Sequence, residues 1–312
     1  MTLRHGQAVW LMVLVTLMWS IAGVVTRQLS QAQSFEVTFW RSFFTVIALL
    51  VILPLWQGIG VFRRIEWRRA SFWLSGVCWS VMFTAFMLAL TLTTVANVLV
   101  TLAAGPLLTA LVARVFIGHR LPVRTWAAIL VAGVGIAWMY GRQLFSAGDH
   151  ASLLVGSLVA ICVPIAGAIN WTVVQRSQAL GTKIDLVPAI LLGAVISSVV
   201  TLPLSFPLVA TPGDVGWLAL LGLVQLAIPC VLSVVCAKVL KAPEVSLLAL
   251  LEVIFGILWA WLGAGEVPGR PVLIGGALVV GALAANELLG WRERSSAPRI
   301  QTLNSDGTGP NE

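Results

Sequence analysis

The chain has 312 residues, of which 59% are hydrophobic and only 10% charged, with a net charge of +7. A soluble domain carries about 25% charged residues, so this composition excludes a soluble enzyme core and points to lipid, where a charge near the bilayer centre is costly. A positive balance can mark a nucleic-acid partner, but the placement of these charges gives them another purpose.

Ten apolar runs fill positions 8–289, each about twenty residues long and thus long enough as helix to cross a hydrocarbon core. In chain order they are 8–26, 35–56, 72–92, 95–117, 124–140, 153–174, 186–208, 215–237, 245–264 and 271–289. The first is too long for a signal-peptide core and no A-x-A site follows it, so it reads as a mature span. Span two carries Trp40-Arg41; span four carries Asn97 and Thr101, one turn apart on one face, and Pro106. Span six holds Pro164, Asn170 and Trp171, span eight Gln225 and Pro229, and span nine Glu252. The connections are short, the longest running over 57–71, and none could hold a catalytic domain. The tail, 292–312, is rich in Ser, Asn, Gly and Pro and is expected to be a disordered cytoplasmic segment.

Of the 19 Lys and Arg residues, Arg41 and Arg114 lie within spans. Fourteen of the others fall in connections on one side; only Arg27, Arg142 and Arg270 fall on the opposite side. The positive-inside rule therefore puts both termini in the cytoplasm and supports an even count of spans. The basic charge is topological and calls for no nucleic acid.

The halves echo one another. Span four with its exit reads GPLLTALVARVFIGHRLP and span nine with its exit reads EVIFGILWAWLGAGEVPG, each ending in a Gly-plus-polar turn, Gly118-His119 and Gly265-Glu266. If spans one to five repeat as six to ten, the odd count inverts the second copy, an architecture common among secondary transporters. The expected fold is an all-α integral membrane bundle of ten transmembrane helices, with repeats at 8–140 and 153–289.

Several pieces carry a resemblance to a known family. They are Trp19-Ser20, Trp40-Arg41, the run TTVANVLVTLAAGPLLTALVARVFIGHR and the run SLLALLEVIFGILWAWLGAGE. With these the chain resembles the EamA-type branch of the drug/metabolite transporter superfamily over 8–289. It departs from the pattern at His119, where the first-half turn would carry an acid, and at Val253, where a Pro often follows the Leu-Glu pair. The resemblance implies two inverted five-helix repeats around a central cavity in a bacterial inner membrane. It also implies transport, often export, of small organic solutes such as amino acids.

Deep polar residues are the candidate machinery. Glu252, about a third of the way along span nine, reads either as a proton-coupling or substrate-amine site or as a structural carboxyl. Arg41, about two turns into span two, cannot discharge itself. It reads either as a bidentate clamp for a substrate carboxylate or as a packing ion pair with Glu36. Asn97, Thr101, Gln225 and Asn170 suit solute hydrogen bonding, and equally suit interhelical bonding. Trp19, Trp40 and Trp171 could line a cavity or simply pack. Pro106, Pro164 and Pro229 would kink their helices and are gating candidates. Gly133, Gly135, Gly275, Gly276 and Gly281 are expected to be scaffold. Cys78, Cys162, Cys230 and Cys236 read as buried small hydrophobes.

No G-x-x-x-x-G-K-[ST] loop is present, so ATP hydrolysis by this chain is excluded and a gradient is the expected energy source, a proton being the simplest. The only histidines, His5, His119 and His150, lie at termini or loops. That leaves no metal set and no base for an intramembrane enzyme, and no cofactor is expected. A lipid-carrier flippase is the alternative reading; it would need a lateral opening. The expected partners are a small-molecule substrate and the lipid bilayer; the oligomeric state is not written in the sequence.

Overall fold

The computed structural model describes residues 4–117, 122–144, 150–179, 185–237 and 242–296. Among them every regular element is a helix. A chain in lipid must pair each backbone N–H and C=O internally, and a helix does so within one segment. Six helices have membrane-crossing length and composition: His5–Thr26, Ser34–Gln57, Ala70–Leu92, Val95–Phe116, Pro212–Ser233 and Arg270–Gly290. Four shorter apolar helices, Val123–Trp138, Leu154–Asn170, Pro188–Thr201 and Leu251–Ala264, stand where the remaining expected spans lie.

Three spans are interrupted. In the first, α1 (His5–Ser20) gives way to α2 (Ala22–Thr26) at Ile21. In the fourth, α5 (Val95–Ala103) stops and α6 (Gly105–Ile117) begins after Ala104. Pro106 has no N–H for the carbonyl four residues back, which is why the helix yields there. The eighth begins as α10 (Pro212–Leu220), widens to a π-helix over Leu221–Ala227, and resumes as α11 (Ile228–Ala237). Pro229 deprives the Gln225 carbonyl of its helical donor, and the widened turn lies immediately before it.

The others are continuous: α3 (Ser34–Gln57), α4 (Ala70–Leu92), α7 (Val123–Leu144), α8 (His150–Ala179), α9 (Pro188–Thr201), α12 (Ala242–Ala264) and α13 (Arg270–Ser296). Pro164 lies inside α8 without ending it, and its ring packs beside Gly105 at the break in span four. α13 carries helix five residues into the expected tail; residues 297–312 lie outside the described ones.

α4 packs on α8 and α9, α3 on α9 and the π-helix, and α1 on α11 and α12. α5 meets α12, α6 meets α8, and α7 meets α13. Large apolar side chains such as Trp10, Leu55, Leu130 and Val134 are exposed, as a lipid-facing surface requires. Polar groups turn inward: the Ser197 hydroxyl lies 2.9 Å from both Ser42 and Thr84, joining α9 to α3 and α4.

α3 and the π-helix touch backbone to backbone. A Cβ on Gly222 would stand 2.7 Å from the Arg41 carbonyl oxygen and 2.9 Å from the Thr45 nitrogen. Thr45 Oγ1 donates to the carbonyls of both Arg41 (2.8 Å) and Gly222 (3.2 Å). Because main-chain atoms cannot step aside as a side chain can, Gly222→Val is expected to cost about 1–3 kcal/mol. A thermal melt in detergent checks this; an unchanged midpoint would refute the contact.

Two expectations are corrected. Gly135 lies against the Gly275 carbonyl and Gly276 against Val100, as scaffold glycines should. Gly133 and Gly281 face open space, because both sit on the outward side of their helices. Cys78, Cys230 and Cys236 are buried, but Cys162 is exposed on the outer face of α8.

Candidate functional site

Arg41 is only 1% exposed. Its Nη1 donates to Gln225 Oε1 (3.1 Å) and its Nη2 to the Phe83 carbonyl (3.3 Å). The rings of Phe83 and Phe86 lie 5.8 and 5.7 Å from the guanidinium carbon. Nε is buried without a hydrogen-bond partner. The expected ion pair with Glu36 is absent. The Glu36 carboxylate is taken by the backbone N–H groups of Val209 (3.1 Å) and Ala210 (2.9 Å) and by the Trp40 indole (3.4 Å). Those two amides lie just ahead of α10, where no helical carbonyl serves them, so the carboxylate completes them and points away from Arg41. Trp40 thereby belongs to this cap and to the aromatic cluster of Phe39, Phe43 and Phe44.

Gln225 also reaches the first span, its Nε2 donating to the Trp19 carbonyl (3.3 Å). The Cys230 thiol contacts the Trp19 side chain and lies within electrostatic reach of both Arg41 and Glu252. Hydrogen bonds therefore join Trp19, Arg41 and Gln225 of three spans, and Glu252 of a fourth lies within electrostatic reach of Cys230 beside them. Glu252 sits near the midpoint of α12, deeper than the third of the span read from sequence. It opens onto a cleft of about 80 Å³, lined by Leu99, Leu102, Ala103 and Pro106 of span four and by Ala249 and Val253 of its own helix. That space holds a few waters; an organic solute needs more.

The remaining candidates lie apart. Thr101 Oγ1 donates to the Asn97 carbonyl (2.7 Å), and Asn97 Nδ2 to Thr93 Oγ1 (3.0 Å), which ties the start of span four to the end of α4 just before it. Asn170 accepts from Ser75 (2.7 Å) and fastens α8 to α4. The Trp171 side chain and all of His119 lie outside the described residues.

A second polar assembly closes the end of the bundle where α2 stops and α5 begins. Gly265 has φ +64°, and this left-handed turn swings Glu266 back over the bundle. Its carboxylate accepts from the Val95 N–H (2.8 Å), the first residue of α5, and from Arg27 Nε (3.1 Å). Arg27 also donates to the carbonyls of Leu90 and Thr93 (both 2.8 Å), at the end of α4. Asp214 completes the pattern, accepting from Ser30 N (2.8 Å), Gln31 N (3.2 Å) and Thr211 N (3.1 Å). Three carboxylates, Glu36, Asp214 and Glu266, thus each fasten backbone amides of a distant connection.

Broken helices around a half-buried carboxylate and a buried cation, inside an apolar bundle, are an arrangement that membrane transporters use. Residues 6–141 match the EamA-like transporter family. The EamA-like family is part of the drug/metabolite transporter superfamily. This match and the membrane-length helices make the chain a multi-pass membrane protein whose first half is similar to small-molecule transporters. No curated protein matches the sequence. A crystal structure of another protein, 19% identical, superposes with a TM-score of 0.62 over 92% of this chain and 99% of its own. At that identity the likeness shows the fold alone.

Two parts of the site escaped the sequence reading. Cys230 looked like any small apolar residue, and only packing reveals its neighbours. The Arg27–Glu266 clasp was half visible in the Gly-Glu turn; what the turn reaches for, an amide 171 residues earlier, left no local signal.

Proposed function

We propose that the chain is a secondary active transporter of small organic metabolites, amino acids among them, working by alternating access in a bacterial inner membrane. It has ten spans in two inverted repeats, 8–140 and 153–289, with both termini cytoplasmic. Export is the direction and a proton the coupling ion. The observation that carries this reading is the meeting of interrupted spans one, four and eight near the half-buried Glu252 of span nine. Irregular backbone at membrane depth is tolerated where it lines a cavity, and discontinuous spans commonly form the seat of a transported solute.

The packing supports the inverted repeat. Exchanging each span with the one five places on maps the pairs two–seven, four–nine and five–ten onto themselves. The same exchange turns three–six into one–eight, three–seven into two–eight, and four–six into one–nine. All these packings are present among the described helices.

Purified protein in liposomes, offered a broad metabolite panel with and without an imposed pH gradient, tests the function. Flux of at least one small solute, steepened by the gradient, is the expected result; no flux for any would refute it. Reporter fusions after Arg69 and after Arg294 should both report cytoplasm, and an external signal at either point would defeat the topology.

A further inference from the structure

Arg41 has five N–H donors and a charge it cannot shed. The acceptors it has found, the Gln225 amide and the Phe83 carbonyl, are both neutral, and its Nε has none. Among the described residues no carboxylate pairs with it. Glu36, Asp214 and Glu266 are committed to backbone amides at the outer end. A cation sealed at this depth without an anion is strongly unfavourable. A purely structural arginine would bring its counter-charge with it; this one leaves the place open.

Resting on the transporter reading above, we infer that Arg41 is the seat of a transported carboxylate. The solute is a small organic anion with an aliphatic body, accompanied by one proton on Glu252. Glu252 is the acid that shares the Cys230 neighbourhood with Arg41, and its cleft is lined by Leu, Ala, Val and Pro side chains that suit an aliphatic chain. The charge count sets the proton. Arg41 with ionised Glu252 sums to zero; an arriving carboxylate leaves one excess negative charge, and a proton on Glu252 cancels it. No bond is made or broken, and the loaded site crosses as a neutral unit, so export runs down the solute's own gradient and carries a proton outward with it.

Few other groups can compete for that proton. Of the elements packed on α12, α2 and α5 carry no titratable residue, and α1 carries only His5, at its cytoplasmic end. α13 carries Arg270 at its outer end and Glu287, Arg292, Glu293 and Arg294 at its cytoplasmic end. From span eight the Cys230 thiol lies within electrostatic reach of the carboxylate. Arg41 is sealed and the cleft is too small for an organic solute in the described state, so loading requires movement. Gln225, which holds Nη1, stands in the π-helix directly before Pro229, where the backbone is least tied.

The test compares leucine, N-acetyl-leucine and leucine methyl ester as probes of one side chain with both charges, the carboxylate alone, or the amine alone. Binding to detergent-purified protein is read by calorimetry and thermal shift at several pH values. The expected result is binding of N-acetyl-leucine, tighter as pH falls from 8 to 6, with none of the ester. Arg41→Gln should weaken it roughly ten- to a hundredfold, the worth of a lost charged hydrogen bond. Should that variant not fold, Gln225→Glu keeps the inference exposed. It places a permanent carboxylate on the side chain that Nη1 already touches, so it should raise the melting temperature and abolish N-acetyl-leucine binding.

Equal binding of the ester, undiminished binding in folded Arg41→Gln or Gln225→Glu, or binding of neither carboxylate probe would overturn the inference. Flux in liposomes is read separately. Solute exchange without carboxylate binding would sink this site and leave the transporter reading standing; carboxylate binding without flux of any solute would do the reverse.

Discussion

Reconstituted Glu252→Gln protein will lose its response to an imposed pH gradient while still exchanging solute for solute. The amide keeps the shape of the carboxyl and removes the proton it could carry. Solute binding and proton binding then no longer influence one another, and exchange, which needs only the empty and loaded forms to be reached from both sides, survives. Gradient-driven uptake should fall by roughly 5- to 150-fold, the usual span of coupling between two sites. The carboxyl's place argues for this role: it is half-buried mid-helix at a cleft with room for water, and no described side chain holds it by a hydrogen bond. Uptake that still follows the gradient in well-folded Glu252→Gln protein would leave this residue a packing group.

Glu266→Ala will be among the most destabilising changes at the outer surface. One carboxylate serves the Val95 amide and the Arg27 side chain. Each charge-assisted hydrogen bond contributes about 1.5–3 kcal/mol when buried. Arg27 and Glu266 keep 29% and 17% of their side-chain surface exposed, so water recovers part of the loss. An overall cost of about 2–3 kcal/mol follows from two such bonds so discounted. Glu266→Gln should fall between, since it retains an acceptor for the amide and loses the charge facing Arg27. Chemical denaturation in detergent reads both; a wild-type midpoint for the alanine variant would mean the clasp contributes nothing.

The sequence made the helices legible because lipid imposes one requirement, a long apolar run, on every crossing. It made Arg41 and Glu252 legible for the complementary reason, since a charge in such a run stands out. It misplaced partnership. Glu36 lies five residues before Arg41 and was the natural counter-ion, yet it serves amides at 209 and 210. Charge complementarity can be read along a chain; the direction in which two side chains leave a helix, and which distant loop arrives beside them, cannot. Asn97 shows the same limit, because a polar residue inside a span gives no sign whether it bonds across to a distant helix or back to the residue just before its own. The breaks at Pro106 and Pro229 were foreseeable from the missing N–H. That Pro164 would leave α8 unbroken was not, because its neighbours decide how the freed carbonyl is accommodated.

The Glu266 turn also bears on how the protein comes into being. Helix α5 is synthesised long before Glu266, and the acceptor of its first amide comes from 171 residues further along the chain. Until the ninth span is inserted, that end of the fourth can be satisfied only by water at the membrane surface. The same holds for one donor of Arg27, which waits for the same carboxylate. The first half therefore reaches the membrane with an unfinished rim, and it is the second half, arriving last, that completes it. The two halves of the chain are a single unit in assembly.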